Sequence, residues 1–274
     1  MPQRRILPWL NEKHTAARKQ WASDLLDEEF TAWVDVDEAW FYTVSLHHRV
    51  KIPPGAEVPT LFCKSKTQVP KVMFLAAACR PRPGGRSGKL GIWRVKEEKT
   101  ARYNSKKHEA GDTYDVNGTL TAEKYFKMMT ENVFPAIQKA FAGTAVKRVI
   151  VQQDGARPHT GKGNMNKLKD GTGEKLNAVG SQLPIPIEVR TQPAQSPDFN
   201  ICDLALFRAL KVAVRHARRD LSAGRFDVDL LVKDVMSTYK NYSDETLEKM
   251  WQYKQYVMQQ VAKDGSNTYE RHHK

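Results

Sequence analysis

The stretch QPAQSPDFNICDLALFRALK, residues 192–211, leaves the backbone little choice. Pro193 and the Ser196-Pro197-Asp198 triplet require an extended approach and then a turn, because proline fixes φ and disfavours helix in the residue before it. From Leu204 the apolar residues recur at Phe207, Leu210 and Val214, the period of a helix with one face in a core. Asp203 therefore falls in the first turn of that helix. An acid there is ordinarily explained by the positive end of the helix dipole. Here it has company. Two more acids stand in apolar settings upstream, Asp37 in VDVDEAWFY and Asp154 in VIVQQDGARPH.

The segments around these acids read as alternating strands and helices. Residues 34–42 form a strand on which Asp35 and Asp37, two apart, project to the same face; the chemistry alone does not choose between them. The continuous apolar run at residues 71–79 reads as a central strand, and residues 90–95 pair back after a Gly/Pro/Arg-rich turn. Thr121 opens a helix whose Tyr125, Met128, Met129, Val133 and Ile137 face a core. Residues 147–152 are a further strand that delivers Asp154 at its C-terminal end, where Gly155 permits a tight turn. Residues 185–190 supply the last strand. Amphipathic helices follow over residues 230–239 and 246–261, and residues 265–274 read as a frayed tail.

Between these elements lie basic segments. Residues 1–30 carry Arg4, Arg5, Lys13, Arg18 and Lys19 and read as a basic linker, with a helix packing through Leu10, His14, Ala17 and Trp21. Residues 45–70, with Pro53-Pro54-Gly55, read as a loop or hairpin, and the charged residues 96–115 as a solvated loop. Residues 161–175 mix glycines with lysines, Lys162 among them, and read as a flexible surface insertion able to follow a DNA backbone. Lys plus Arg number 44 against 31 acids, a net charge of +13 that favours a polyanionic partner. Three widely spaced cysteines, Cys63, Cys79 and Cys202, suit a reducing compartment and offer neither a disulfide framework nor a zinc site. No apolar run approaches a membrane span or a signal-peptide core. A Ser-His pair, a nucleophilic thiol and a nucleotide-binding glycine loop are likewise missing.

Taken in order, Asp37-Glu38-Ala39-Trp40-Phe41, Gln153-Asp154-Gly155-Ala156-Arg157-Pro158-His159 and Ser196-Pro197-Asp198-Phe199-Asn200-Ile201-Cys202-Asp203 resemble the three motifs of the mariner-like DDE/DDD transposases. The resemblance spans essentially the whole chain. It implies an α/β fold, an RNase H-like mixed five-stranded sheet flanked by helices, with residues 31–225 as the catalytic core, 1–30 as linker and 226–274 as a helical extension. It implies Asp37, Asp154 and Asp203 as catalytic metal ligands for Mg²⁺ or Mn²⁺, two ions, with no nucleotide cofactor. Asp35 and Glu38 are then supporting or solvent-facing acids. Arg157, His159, Lys162, Arg208, Lys211 and Arg215 are the expected nucleic-acid contacts, with orienting a ligand carboxylate, or a hydrogen-bonded structural histidine, as the other readings of His159. The implied activity is cut-and-paste cleavage and strand transfer at terminal inverted repeats with TA targets, by a homodimer on double-stranded DNA in the nucleus. The helix-turn-helix modules of similar transposases have no match here, so the sequence is expected to be a fragment or a truncated reading frame. The interval from Asp154 to Asp203 is longer than in familiar mariner-like enzymes. A domesticated DNA-binding protein without catalysis is the main alternative. A haloacid-dehalogenase-type phosphatase, suggested by VDVDE, lacks the following Thr or Val and any downstream acidic pair; an RNase H-type nuclease would lack the Ser-Pro-Asp-x-Asn arrangement.

Overall fold

The computed structural model describes residues 7–44, 55, 69–82, 85–105, 108–160, 172–218 and 227–270. Its centre is β1 (Trp33–Tyr42), a strand with side chains buried on both faces. Val34 and Val36 point into one core; Trp33, Ala39 and Phe41 point into the other, with Asp35 and Asp37 on their side of the pleat. β2 (Lys71–Cys79) pairs antiparallel along all of β1 from Val34 to Tyr42, and β3 (Lys89–Arg94) extends the sheet from β2. On the other side β6 (Val149–Gln153) and then β7 (Ile187–Thr191) run parallel, giving the order β3-β2-β1-β6-β7. This is the expected mixed five-stranded sheet. Residues 96–115, expected as a solvated loop, instead make a separate hairpin of β4 (Lys96–Thr100) and β5 (Thr113–Asn117). Charged strands with little burial give almost no hydrophobic pattern to read.

Helices cover both faces. Against Val34, Leu75 and Val151 lie α2 (Ala122–Met128), a π-helical turn (Met129–Val133), α3 (Phe134–Phe141) and, through Leu176, α5 (Thr172–Gly180), with the single turn α4 (Arg157–Thr160) against α2 and α5. The beginning of α5 falls within the expected surface insertion; the rest of that segment, residues 161–171, lies outside the described residues, as does most of 45–70. Opposite, Phe41, Phe74, Phe199 and Trp251 build a core with α1 (Glu12–Asp24), α6 (Phe207–Ala217), α7 (Val228–Lys240) and α8 (Asp244–Asp264). Among the described residues no helix is long and apolar enough to cross a membrane.

Two expectations about basic and terminal residues are corrected. On α1, Ala17 is exposed and Arg18 is fully buried, its guanidinium paired with both oxygens of Asp198 at 2.8 Å. Residues 265–270 are tied down rather than frayed. Gly265 caps α8 with φ +78°, where a side chain would strike Thr15. Arg18 donates to the carbonyls of Gly265 and Ser266, and Tyr269 donates to Asp198.

Candidate active site

β6 pairs with β1 only from Trp33 to Asp35 and then ends, while β1 runs on. Past that point the two parallel strands part, opening a crevice at their carboxyl ends, where open α/β sheets ordinarily hold ligands. Asp37 lies on β1 just beyond the last pair, and Asp154 just after β6. A third segment enters from the end of β7 through the 3₁₀ turn Pro197–Phe199. Asn200 Nδ2 donates to the Val36 carbonyl at 3.0 Å, and the Ile201 N–H donates to Asp35 Oδ2 at 2.8 Å. Those two bonds hold the π-helical turn Cys202–Leu206, and with it Asp203, against β1. The expected helix around Asp203 thus begins one turn wide. A π turn rotates the following side chains relative to an α-helix and recurs at functional sites.

The structure brings Asp37, Asp154 and Asp203 together, with Glu38 beside them. Asp37 is 6% exposed and its carboxyl is pushed well above the ordinary range, first by desolvation, then by repulsion from Asp203, Glu38 and Asp154. Asp203 opens to solvent yet is also raised, mainly by desolvation; its hydrogen bond from Asp37 acts the other way. Of the two, Asp37 is raised the more. Asp154 behaves differently. Although burial works against it, its carboxylate is held below the ordinary range by His159 and by the Ala156 N–H at 2.9 Å.

His159 is fully buried between two acids, with Nδ1 2.5 Å from Asp154 and Nε2 3.0 Å from Glu38. Burial opposes its charge, but the ion-pair contact with Asp154 and the hydrogen bond with Glu38 prevail and raise it to about 10, an imidazolium at neutral pH. The Tyr125 ring packs against it at a tilt, centroids 4.2 Å apart, and its hydroxyl donates to Gln153 at 2.8 Å. A buried ring cannot touch DNA, so the expected nucleic-acid contact at His159 is corrected to one that orients Asp154. Arg157, Arg208 and Arg215 are exposed, and Lys162 lies outside the described residues. Lys211 leans over Phe41 and Phe207 at 5.7 and 5.9 Å; desolvation lowers it, and Asp203 and Asp37 pull it back up. Its charge therefore serves the acids. Arg218, just past the end of α6, is 8% exposed and paired with Asp234 at 2.6 Å.

The oxygen donors fit a hard divalent cation. Two carboxyls raised by burial beside a third acid make a site short of positive charge. As the side chains stand, no three His, Cys, Asp or Glu among the described residues form a ready cage. Asp35, expected as a supporting or solvent-facing acid, is the former: it is wholly buried and bound to Lys254 Nζ at 2.7 and 2.8 Å. Lys254 was missed from sequence, although one cue existed, a lysine in the apolar stripe Met250, Trp251, Val257, Met258 and Val261 of α8.

No family model and no curated protein matches the chain. Solved structures do. The chain is similar to the Mos1 mariner paired end complex with Mn at 19% identity and a TM-score of 0.66, over 98% of this chain and 68% of that one. It is similar to the Mos1 strand transfer complex at 18% and 0.62, over 98% and 67%. The catalytic domain of Mos1 mariner transposase alone matches at 19% and 0.60, over 96% of this chain and 100% of that one. At such identity the likeness establishes the fold, which is the RNase H-like fold of that catalytic domain.

Proposed function

We propose that this chain is the catalytic domain of a mariner-like DNA transposase, performing metal-dependent strand cleavage and strand transfer at transposon ends. One observation carries the reading: three acids from three distant motifs meet where β1 runs on past the end of its pairing with β6, close enough that Asp203 and Asp154 both repel the charge of Asp37. The neighbours solved with Mn and with Mg, and on transposon ends, support divalent metal and DNA as its partners.

Asp37, Asp154 and Asp203 would hold Mg²⁺ or Mn²⁺, two ions in this reading. When bound, the ions activate the attacking oxygen and stabilise the departing one in an in-line displacement at phosphorus. The chain's own residues do the rest. Asp37 has one oxygen anchored by the Glu38 N–H at 2.8 Å, and its carboxyl lies against that of Asp203. His159 fixes the carboxylate of Asp154, and Glu38 fixes the ring of His159. Lys211 tempers the charge on Asp203. Arg157, Arg208 and Arg215 would meet phosphates of duplex DNA. The nucleus, a homodimer on paired ends and TA targets belong to the same proposal.

The non-catalytic, DNA-binding alternative is disfavoured by the acid cluster, which is unfavourable in a protein that binds no cation. The test is nicking of a supercoiled, repeat-bearing plasmid with Mn²⁺. The chain should nick it, and Asp37→Asn should not. Equal nicking by both, or by neither while DNA is bound, refutes the catalytic reading.

A further inference from the structure

The ammonium of Lys254 occupies a singular position. It is fully buried, in an aromatic box of Phe30, Trp33 and Trp251 with ring centres 4.8, 5.3 and 4.9 Å away. Its protons go to both oxygens of Asp35, at 2.7 and 2.8 Å, and to Gln152 Oε1 at 3.1 Å. Asp35 precedes Asp37 by two residues on β1. Gln152 precedes Asp154 by two at the end of β6. Asp35 Oδ2 in turn accepts the N–H of Ile201, which precedes Asp203 by two. One buried cation therefore reaches the residue two places before each of the three acids.

The network closes on itself. Gln152 Nε2 donates to the Phe199 carbonyl at 2.8 Å and to Gln192 Oε1 at 2.6 Å, and Gln192 Nε2 donates to the Ser196 carbonyl at 2.9 Å. The Sγ of Cys202 lies 3.8 Å from the Asp35 carbonyl. In a strand, residues two apart share a face, so a shift at Asp35 or Gln152 passes directly to the acid beyond it. Asp35 and Gln152 are the last pair of the β1–β6 ladder, and beyond them, at Asp37 and Asp154, no β1–β6 pairing fixes the spacing.

We infer that Lys254 is a positioning residue of the site: from α8 it sets the mutual spacing of Asp37, Asp154 and Asp203, and with it their affinity for divalent metal. This rests on the proposed function, deepening it by making the C-terminal helix part of the metal-binding apparatus. A structural explanation competes, since a buried ion pair that loses one partner destabilises any protein.

The experiment separates the two by measuring Mn²⁺ affinity calorimetrically alongside thermal melting, with no DNA and no turnover. Lys254→Met leaves the Asp35 carboxylate buried alone and is expected to melt low or not fold. The double variant Asp35→Asn with Lys254→Met removes both charges, and its amide oxygen can still accept from Ile201. It should fold, yet bind Mn²⁺ about tenfold or more weakly, the scale on which lost supports of metal ligands act. Lys249→Ala, which breaks only an exposed pair with Glu245 on the same helix, should bind as the wild type does. A folded double variant with wild-type Mn²⁺ affinity overturns the inference alone. Failure of the double variant to fold also overturns it, by making the pair a requirement of the fold. A wild-type chain that binds no Mn²⁺ overturns the functional reading and this inference together.

Discussion

Replacing Asp203 by Asn should reverse sign depending on metal. In the metal-free chain Asp203 and Asp37 are held in hydrogen-bond contact, and desolvation and repulsion raise both carboxyls. Two full charges about 4 Å apart repel by roughly 4 kcal/mol at an effective dielectric constant of about 20. Asp203 is exposed on its outer side and Lys211 stands near it, so screening leaves an effect on the order of 1 kcal/mol. Asp203→Asn keeps the size and a hydrogen bond to Asp37 while removing the repulsion. For a chain of this size 1 kcal/mol is about 2–4 °C in Tm, so the metal-free variant should melt that much higher. Metal inverts the order. At about 100 times Kd a ligand stabilises by about 2.7 kcal/mol, raising the wild type by roughly 5–10 °C, while an amide is a poor ligand for a hard cation and the variant should hardly respond. The assay is differential scanning calorimetry with EDTA and with Mn²⁺. A variant that melts below the wild type in EDTA, or that keeps the wild-type metal shift, refutes the assignment of Asp203.

Arg18→Met should lower stability by about 3–5 kcal/mol, read from the urea midpoint, because it strands Asp198 in the core; a loss under about 1 kcal/mol would show that the pair is not what holds the turn. Asp198→Asn, five residues before Asp203, should likewise reduce stability but leave the Mn²⁺ shift intact. Metal-free stability should fall with alkalinity: His159 has its folded value raised to about 10, so its contribution is complete below about pH 6.5 and is lost as pH rises through about 10. Urea midpoints from pH 6 to 10 should show that decline, and His159→Gln should flatten it; equal slopes would remove His159 as the cause. On duplex DNA, log affinity should fall steeply with log salt, and Arg208→Ala or Arg215→Ala should each reduce the slope by about one.

The acids were legible because their chemistry is local: a strand with a charged interruption, a strand ending in Gln-Asp-Gly, and a proline turn before a helix. Hydrophobic period located most strands and helices to within a few residues. The supports of the acids were not legible. Lys254 meets Asp35 across 219 positions and Arg18 meets Asp198 across 180, so nothing in either neighbourhood announces the partner. Arg18 looked like linker charge, because sequence shows that a residue is basic and not which way its helix turns. The β4–β5 hairpin escaped for a different reason: two exposed strands held by backbone bonds and the Lys96–Asp115 pair carry no apolar alternation.

The reach of α8 bears on when the site can exist during synthesis. All three acids are synthesised before α8, yet the residues that fix their spacing pair with Lys254. Arg18 must wait longer still, since one of its partners is the carbonyl of Gly265, 247 positions away. Contacts of such separation form late, after the entropy of closing a long loop has been met. An acid site wired in this way is assembled by the last helix to dock, so a chain lacking α8 carries the acids without their spacing. A released chain ending at Lys240 should have little affinity for Mn²⁺, and the chain extended through α8 should have it.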